Sequence, residues 1–432
     1  MIRSIRSGAP LRGTIPCPGD KSISHRYAML AALARGRSEL RHFAGSQDCQ
    51  STLRCLRGLG VEVETRDTSV FITGDGLFGL KTPSAMLDAG NSGTTMRLLS
   101  GILAGQLFPA VLTGDASLSR RPMGRIMAPL RLMGARIGSG DGGFPPLSIH
   151  GGALRAIRYS LPVASAQVKS CVLLAGLYAD GMTAVEEKVA TRDHTEIALR
   201  HFGGVVRQRG NWIEVEPGPS LEARQLDIPG DLSGAAFFIA AAALVPGSEM
   251  LLPQVGLNSR RRALIDYLKE AGVKLSVENE SHSAGEARGD LRVICDPSAL
   301  DERLPPVQGE LTAALIDEIP ILAVYASQAG GLDIRDASEL RIKESDRIAA
   351  IAANLRAMGA VVEEQSDGLA IPGRQRLRGA EIETHGDHRI AMAFSVAGLV
   401  AAGETRIHGA ECADVSFPGF YEILARARAI HP

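Results

Sequence analysis

A sequence pattern that recurs six times constrains the fold of this chain more than any other feature. In each copy, a polar residue precedes a helical run of small apolar residues. The polar starts are Asp20, Asn91, Ser165, Asp231, Asp317 and Asp387. Successive starts are 66 to 86 residues apart, and 432 residues divided into six units average 72 each. Such self-similarity is typical of a fold that copies one supersecondary unit.

A second landmark repeats in phase with the first. An amphipathic helix ends at a glycine, and alternating apolar and polar residues follow. The glycines are Gly60, Gly134, Gly203, Gly272 and Gly359. A glycine just beyond a helix suits a left-handed C-cap, and the alternation predicts a half-buried strand. A sixth glycine would be due near residue 430, where the helical run Phe420 to Ile430 ends the chain. The strand around Ser4 to Ile15 is expected to complete that unit.

The first helix of each unit is predicted to be buried. The runs 27–34 and 235–243 are apolar on nearly every face, and a helix that is apolar all round must be buried. The second helix is amphipathic and is expected to lie outside the first. A solenoid is the alternative, but solenoid repeats are usually only roughly 20–50 residues long. Two globular halves of three units each fit better, and we expect them to meet near Asp20 and 229–231.

Composition excludes several classes of function. The chain is 45% hydrophobic and 22% charged, as in globular proteins. Only 4% of residues are aromatic and the net charge is −1, which argues against binding nucleic acid or a membrane surface. The six cysteines form no C-x-x-C pair, so neither a zinc site nor a disulfide framework is indicated. Neither a signal peptide nor a membrane span is evident, so we expect a cytoplasmic protein.

Cationic side chains accompany the predicted helix starts. The unpaired N–H groups and the positive dipole end of a helix start favour an anion. Lys21 and Ser22 fall on the first turn of the first helix, and Arg26 shares a face with Ser22. The cations near the other starts are Arg97, Arg120, Arg121, Arg125, Arg192, Lys343, Arg347 and Arg389. Because Arg binds carboxylate and phosphate bidentately, a cleft lined by these starts would hold a small polyanion.

Each motif alone also has a structural explanation. Two adjacent arginines, Arg120 and Arg121, ahead of a Pro-initiated helix could be a solvated face. Lys343 and Arg347, four residues apart on one helix face, match a common salt-bridge pattern. The sequence His385-x-Asp387-His388 lacks the further ligands of a metal site. The run 90–94 is not a phosphate-binding P-loop, because no Gly-Lys-Ser/Thr follows it.

The combination of these motifs is more informative than any one of them. The carboxylates Asp317 and Glu344 lie among the cations, where they could transfer a proton at an adjacent hydroxyl. The sequence therefore predicts group transfer between small, multiply anionic molecules, with closure of the two halves to exclude water.

In these residues the chain resembles the 5-enolpyruvylshikimate-3-phosphate synthase family, over essentially its whole length. The matching motifs, in order, are 18–26, 90–97, 121–125, 165–167, 191–196, 317–320, 341–347 and 387–389. The resemblance implies an α/β fold of two similar domains, each with three βαβαββ units around buried parallel helices, an inside-out α/β barrel. The predicted domains are residues 1–19 with 231–432, and residues 20–230, with the active site in the cleft between them.

The resemblance also implies the reaction. The enolpyruvyl group of phosphoenolpyruvate would move to the 5-hydroxyl of shikimate 3-phosphate through a tetrahedral intermediate that loses phosphate, on the route to chorismate and the aromatic amino acids. No cofactor and no metal are implied. The two substrates would be the partners of a cytoplasmic monomer, without nucleic acid or membrane. Enzymes of this family are glyphosate targets.

Two other functions are considered: a related enzyme with a different substrate, and a protein that is not an enzyme. The sister transferase acting on UDP-N-acetylglucosamine shares the fold, but it begins with Lys-Asn and uses a loop cysteine. Here Lys21 precedes Ser22, and no cysteine lies between Arg121 and Cys171. A repeat scaffold that only binds anions is the non-enzymatic alternative.

The resemblance assigns roles to the residues that match the family's motifs. The catalytic residues would be Asp317, Glu344 and Lys21. Phosphoenolpyruvate would be bound by Lys21, Gly93, Thr94, Arg121, Gln167, Arg347 and Arg389. Shikimate 3-phosphate would be bound by Lys21, Ser22, Arg26, Ser165, Ala166 through its backbone, Gln167, Arg192, Asp317 and Lys343.

The chain also departs from the family's common pattern. Many members carry a lysine just before the C-terminal Phe-Pro, whereas this chain reads Asp414-Val415-Ser416-Phe417-Pro418. Ala166 and Thr191-Arg192 resemble a more divergent bacterial branch. Gly93, by contrast, is the small residue usual in glyphosate-sensitive enzymes, so inhibition by glyphosate is expected.

Overall fold

The computed structural model describes residues 1–429. Its α-helices are α1 Lys21–Leu33, α2 Gln47–Gly58, α3 Gly93–Ala104, α4 Gly124–Leu132, α5 Ala166–Gly176, α6 His194–His201, α7 Leu232–Leu244, α8 Ala263–Glu270, α9 Glu310–Leu315, α10 Ile319–Gln328, α11 Arg347–Ala357, α12 His388–Val400 and α13 Phe420–Ala429.

Short β-strands alternate with these helices. They are β1 Ile2–Arg6, β2 Arg12–Thr14, β3 Arg35–Arg41, β4 Glu62–Arg66, β5 Ser69–Asp75, β6 Leu87–Asp88, β7 Pro109–Thr113, β8 Arg136–Ser139, β9 Leu147–His150, β10 Arg158–Ser160, β11 Thr183–Glu186, β12 Val206–Arg209, β13 Trp212–Val215, β14 Gln225–Asp227, β15 Glu249–Gly256, β16 Lys274–Ser283, β17 Glu286–Ile294, β18 Gly331–Ile334, β19 Glu363–Glu364, β20 Leu369–Pro372, β21 Glu381–Glu383 and β22 Glu404–His408.

The chain divides into two compact units. The first unit consists of Met1–Pro18, Gly230–Ser281 and the chain from Ala287 onward. The second unit consists of Gly19–Pro229 together with His282–Glu286, the tip of the β16–β17 hairpin. Each unit has its own hydrophobic core. Nothing in the sequence pattern anticipated that the hairpin tip groups with the second unit.

Six small sheets, three in each unit, form the repeat within residues 1–429. In the second unit they are β14-β3-β5-β4, β6-β7-β9-β8 and β10-β11-β13-β12, and each combines one parallel pair with antiparallel neighbours. In the first unit they are β2-β15-β17-β16, β18-β20-β19 and β1-β22-β21. The sheet β18-β20-β19 has three strands, and a single parallel bridge from Val307 to Ile334 extends it beside β18. The predicted six-fold repeat is confirmed.

The helices that begin each unit fill the two cores, as their composition predicted. Every residue of α7 is buried, and α1 is buried from Ile23 to Leu33. The helices α3, α5, α10 and α12 are buried over most of their length as well. Strands such as β5 alternate buried and exposed residues, so the sheets cover these helices with one face and meet solvent with the other. This is the inside-out α/β arrangement expected from the resemblance.

The second landmark of the repeat is confirmed too. The five predicted glycines, Gly60, Gly134, Gly203, Gly272 and Gly359, have φ angles between 80° and 102°. Because L side chains rarely adopt this region, glycine lets each helix stop and turn into the following strand. The sixth position, near residue 430, lies outside the described residues. β1 pairs antiparallel with β22 and completes the last unit as expected. The prediction of one strand from Ser4 to Ile15 was otherwise wrong, because β2 pairs with β15 in a different sheet.

Four of the six predicted helix starts are N-caps. The side chains of Asp20, Ser165, Asp231 and Asp387 accept hydrogen bonds from backbone N–H groups of the first turns of α1, α5, α7 and α12. Helix α3 differs, because Ser92 rather than Asn91 accepts the bond from the Thr95 N–H at 3.1 Å.

Three other predictions about helix starts were wrong. Helix α10 begins at Ile319, two residues after Asp317, because Pro320 fits the first turn, where an N–H is dispensable. Helix α4 begins at Gly124 rather than at Pro122. Lys343 precedes α11, whose first residue is Arg347, so the two do not share a helix face.

Two further features bear on the predicted environment of the chain. All six cysteines are free thiols. Within residues 1–429, none of the helices combines the length and the apolar character that a membrane crossing requires.

The close approach of two buried helices yields a test of the packing. A Cβ added at Gly101 in α3 would lie 2.2 Å from the Cys171 carbonyl oxygen in α5, and a backbone atom cannot easily move away. Gly101→Ala should therefore destabilise the protein by at least about 2 kcal/mol, as overpacking of a core does. The measurement is the urea unfolding midpoint. Gly124→Ala, where a Cβ meets nothing within 4 Å, is the matched control. Equal midpoints for the two variants would contradict this packing.

Candidate active site

The start of α1 carries the first of the predicted cations. Asp20 caps the helix by accepting the Ile23 N–H at 2.9 Å. Lys21 follows, and its ammonium Nζ lies 2.9 Å from Oδ2 of Asp48, on the first turn of α2. Both side chains are mostly buried, so this ion pair fixes the Lys21 side chain at the junction of the two helix starts.

Arg26 is held by hydroxyl and backbone oxygens. Its Nε donates to Oγ1 of Thr195 at 2.7 Å, and its Nη2 donates to Oγ of Ser170 at 3.0 Å. Its Nη1 donates to the Ser22 carbonyl at 2.9 Å, which confirms that these two residues share a helix face. Burial lowers the pKa of Arg26 to about 10. The guanidinium therefore stays protonated at neutral pH.

A second group of contacts joins the starts of α3 and α5. The Arg97 guanidinium donates to Oε1 of Gln167 at 2.6 Å, and the Gln167 amide donates to Oγ1 of Thr94 at 2.9 Å. Gly93 opens α3 beside them. A Cβ on Gly93 would lie 2.8 Å from Nη1 of Arg97 and 3.5 Å from Nη1 of Arg121. Gly93, Thr94, Gln167 and Arg121, all predicted to bind phosphoenolpyruvate, therefore lie together.

The two adjacent arginines ahead of α4 have different environments. Arg121 is buried, and its Nη2 donates to Oδ1 of Asn91 at 2.7 Å and to Oγ of Ser117 at 3.1 Å. Arg120 is exposed. Of the two adjacent arginines, Arg121, which is the one predicted to bind phosphoenolpyruvate, is therefore buried, whereas Arg120 meets solvent.

A buried chain of polar groups links three helix starts in the second unit. His25 Nδ1 lies 2.6 Å from Oγ1 of Thr52, which lies 2.6 Å from Oγ1 of Thr95. The Thr95 hydroxyl donates to the Ser92 hydroxyl at 2.8 Å. Burial, reinforced by the charges of Lys21 and Arg26, lowers the pKa of His25 well below its usual value. His25 is thus neutral, and it connects α1, α2 and α3 without adding charge.

The other predicted residues of this unit lie at the same helix starts. Ser165 caps α5 by accepting the Val168 N–H at 3.3 Å, and Ala166 is the first residue of that helix. Arg192 precedes α6 and is half-buried. After burial, its charge is a further factor that lowers the pKa of Arg26.

In the first unit, three cations surround Asp317. Its carboxylate oxygens lie 3.9 Å from Nζ of Lys343, 3.7 Å from Nη1 of Arg347 and 3.9 Å from Nη2 of Arg389. Arg389 Nη1 also donates to the Asp317 carbonyl at 2.7 Å. The structure therefore brings together four residues that the sequence places as much as 72 positions apart.

Arg347 is the most enclosed of these cations. Its Nε donates to Oδ2 of Asp387 at 2.8 Å, and its Nη2 donates to Oε2 of Glu344 at 2.6 Å. Burial alone would lower the pKa of Arg347, but Asp387, Glu344 and Asp317 raise it above its usual value. Burial alone would raise the pKa of Asp387, but Arg347 outweighs that effect and holds it below its usual value.

Arg389 is supported from behind by a chain that the sequence did not reveal. Its Nη1 lies 3.6 Å from Oε1 of Glu318. The Glu318 carboxylate accepts a hydrogen bond from the Ser233 hydroxyl, which is also bonded to Arg261. Arg261 in turn lies 3.5 Å from the cap residue Asp231. These residues connect the starts of α7, α10 and α12.

The supporting residues gave only weak signals in the sequence. Asp48, Glu318 and Arg261 are charged residues beside helix starts, yet they are buried, and burial of a charge requires a partner. Their partners lie far away in the sequence, so no local spacing could identify them. In the described part of the chain, no group of three or more His, Cys, Asp or Glu side chains is placed to hold a metal ion.

The segment that lacks the family's common lysine is half-buried at 414–416, and the Phe417 that follows it is part of the core. Phe417 packs against Phe238 and Phe420, with ring centroids 5.7 Å apart in both cases. Val415 and Ser416 precede it at the end of a 3₁₀ turn.

Helix starts that bring arginines, lysines and carboxylates together are suited to an enzyme that transfers groups between small anions. Comparison with known proteins identifies the family. The model of the EPSP synthase (3-phosphoshikimate 1-carboxyvinyltransferase) family matches residues 5–424. The chain therefore belongs to this family.

Individual relatives agree with the family match. The chain is 52% identical over 427 residues to a 3-phosphoshikimate 1-carboxyvinyltransferase of Solibacter usitatus, which covers 99% of both chains. It is 53% identical over 435 residues to one of Salinibacter ruber, again with 99% of both covered. A solved EPSP synthase structure from Acinetobacter baumannii superposes with a TM-score of 0.88 at 45% identity, covering 99% of this chain and 98% of that one.

The buried pair of Asp387 and Arg347 yields a pH-dependent prediction. Asp387→Asn should lower the free energy of unfolding by about 3 kcal/mol at pH 7, because it leaves Arg347 partly unpaired in the core. Since folding lowers the pKa of Asp387, its contribution is complete above the unfolded value of about 4 and disappears as pH falls below it. The difference between wild type and variant should therefore shrink only below about pH 4.

The measurement is urea unfolding of both proteins at a series of pH values from neutral to acidic. Asp266→Asn is the control, because Asp266 is exposed and pairs with Arg262 at 3.3 Å, where water screens the interaction. A difference between wild type and Asp387→Asn that stays constant down to acidic pH would contradict the charge assignment.

Proposed function

We propose that the two groups of residues described above hold the two substrates of the family's reaction. As a member of the EPSP synthase family, the chain transfers the enolpyruvyl group of phosphoenolpyruvate to the 5-hydroxyl of shikimate 3-phosphate and releases phosphate. The observation that carries the residue assignment is the grouping of Lys343, Arg347 and Arg389 around Asp317. The hydrogen bonds that hold Arg26 and Arg121 within the second unit support the assignment as well.

The proposed phosphoenolpyruvate residues are Lys21, Gly93, Thr94, Arg121, Gln167, Arg347 and Arg389. Phosphoenolpyruvate carries a carboxylate and a phosphate, and planar guanidinium groups bind both bidentately. Gly93 leaves room beside Arg97 and Arg121 where a methyl group would stand. The cations stabilise the negative charge that develops on the departing phosphate, and preorganised electrostatic stabilisation of this kind usually contributes more to catalysis than any other effect.

The proposed shikimate 3-phosphate residues are Lys21, Ser22, Arg26, Ser165, Ala166, Gln167, Arg192, Asp317 and Lys343. Arg26 supports this assignment, because its hydrogen bonds to hydroxyl and carbonyl oxygens hold a cation at the start of α1. Asp317 supports it as well, since a carboxylate beside Lys343 suits a substrate hydroxyl that must lose its proton.

Proton transfer is assigned to Asp317 and Glu344, with Lys21 as a further catalytic residue. Protonation of the alkene carbon of phosphoenolpyruvate and attack by the 5-hydroxyl give a tetrahedral intermediate. Loss of a proton from the new methyl group then expels phosphate. Asp317 and Glu344 both contact Arg347, which places two carboxylates on one guanidinium and within reach of one substrate region.

The proposed function also includes a domain division, an oligomeric state and a set of partners. We assign residues 1–19 with 231–432 and residues 20–230 as the two functional domains, both of which contribute to one active site. The enzyme is proposed to act as a cytoplasmic monomer, without nucleic acid or a membrane. The net charge of −1 supports the absence of polyanionic partners.

The identity of the molecule that receives the enolpyruvyl group is the direct test of this function. Phosphate release from phosphoenolpyruvate should require shikimate 3-phosphate, and UDP-N-acetylglucosamine should not replace it. Glu344→Gln should lower kcat about 10²–10⁴-fold, the range for loss of a general acid or base, with an unchanged unfolding midpoint. Phosphate release with UDP-N-acetylglucosamine alone would favour the sister transferase. Full turnover by Glu344→Gln would remove that residue from the chemistry.

Gly93 provides a prediction about inhibition. Glyphosate should compete with phosphoenolpyruvate, because Gly93 leaves space beside the two guanidinium groups. Gly93→Ala should weaken inhibition and raise the KM for phosphoenolpyruvate, since the added methyl would lie 2.8 Å from Nη1 of Arg97. Gly124→Ala is the control, and it should behave like the wild type. Absence of competition at millimolar glyphosate would contradict this prediction.

A further inference from the structure

The tip of the β16–β17 hairpin is anchored in the second unit. It turns through Ala284 and Gly285, whose φ angles of 54° and 79° suit a two-residue hairpin turn. The Ala284 carbonyl accepts a hydrogen bond from the Tyr27 hydroxyl of α1 at 3.4 Å. Gly285 packs against α6 so closely that an added Cβ would lie 2.9 Å from Cγ2 of Ile197. The tip is therefore seated on both α1 and α6.

Glu286, the residue after this turn, makes a buried contact with α6. Its Oε1 lies 2.7 Å from Nδ1 of His194, the first residue of that helix. Both side chains are about 1% exposed. A buried carboxylate is costly unless it is paired, so this contact should fix both residues firmly.

The start of α6 depends on contacts from outside the helix. Asp193 occupies its cap position, but its side chain does not cap the helix. Instead, Glu286 binds His194, and Glu187 accepts hydrogen bonds from the Thr191 backbone N–H and hydroxyl. These two buried glutamates hold the residues on either side of Arg192.

The same turn of chain also positions Arg26. Oγ1 of Thr195, adjacent to His194, accepts the hydrogen bond from Nε of Arg26 at 2.7 Å. The charge of Glu286 acts on Arg26 as well: burial lowers the pKa of Arg26, whereas Glu196, Asp20 and, to a smaller extent, Glu286 act to raise it. Glu286 is therefore one of three carboxylates that favour the charged form of Arg26.

We propose that Glu286 is a positioning residue for shikimate 3-phosphate, which holds Arg192 and Arg26 in place through His194. This inference rests on the proposed assignment of those two arginines to that substrate. A dianionic phosphate needs cations close together before it arrives, and their order must be imposed by the protein. Because the Glu286 carboxylate is buried on His194, it supplies this order without occupying the place of the substrate.

The test compares the KM values for the two substrates in intact variants. Glu286→Gln keeps the size of the side chain and an oxygen for His194, but it removes the charge. The KM for shikimate 3-phosphate should rise about tenfold, because the buried hydrogen bond with His194 loses its carboxylate partner, whereas the KM for phosphoenolpyruvate should change much less. Glu280→Gln, on the exposed part of the same hairpin, should behave like the wild type.

Two further variants test whether Glu286 acts through His194. His194→Asn replaces the other partner of this hydrogen bond. It should also raise the KM for shikimate 3-phosphate but not the KM for phosphoenolpyruvate. If Glu286 acts through His194, the double variant should be no worse than the poorer single variant. Equal rises in both KM values, or no rise, would overturn the inference and leave the pair a purely structural one.

Arg192→Ala separates failure of this inference from failure of the proposed site. If Arg192→Ala raises the KM for shikimate 3-phosphate and Glu286→Gln does not, only the role of Glu286 is refuted. If Arg192→Ala leaves that KM unchanged, the assignment of Arg192 to the substrate is refuted, and the role proposed for Glu286 falls with it.

Discussion

The structure depends on satisfying the first turns of helices that are buried over most of their length. The free N–H groups of such a turn have limited access to water, so a side-chain oxygen within the protein satisfies one of them at most of these starts. Asp20, Ser92, Ser165, Asp231 and Asp387 supply these oxygens. The cap residue fixes the chain next to it, and the residues next to it include Lys21, Ala166, Gln167 and Arg389. Capping of the buried helices thus also determines where the side chains proposed to bind the substrates lie.

The two units hold their arginines in different ways. In the second unit, Arg26 and Arg121 donate to hydroxyl, amide and backbone oxygens. In the first unit, Arg347 and Arg389 lie against carboxylates, among them Asp317. The first arrangement suits the binding of an anion, and the second places proton-transfer groups beside the cations. This difference supports a division in which binding of shikimate 3-phosphate draws mainly on one unit and proton transfer on the other.

Much of the fold could be predicted from the sequence, because its signals are local and repeated. Glycine beyond a helix, a polar cap before an apolar run and a period near 72 residues each reflect a short-range requirement. Contacts between side chains that are far apart in the sequence leave no such local pattern. Asp48 for Lys21, Thr195 for Arg26 and Glu286 for His194 lie 27, 169 and 92 positions away. The error over Lys343 and Arg347 has the same origin: a spacing of four suggested one helix face, but Asp346 caps α11 between them.

The central claim is that helix starts in both units bind one pair of substrates. Hydrogen exchange of backbone amides tests it most directly, with the protein alone and with shikimate 3-phosphate plus an unreactive phosphoenolpyruvate analogue. We expect slower exchange at the starts of α1, α3 and α5 and in the segments that carry Arg347 and Arg389, because bound anions order those turns. Protection confined to the helix starts of one unit would contradict the claim.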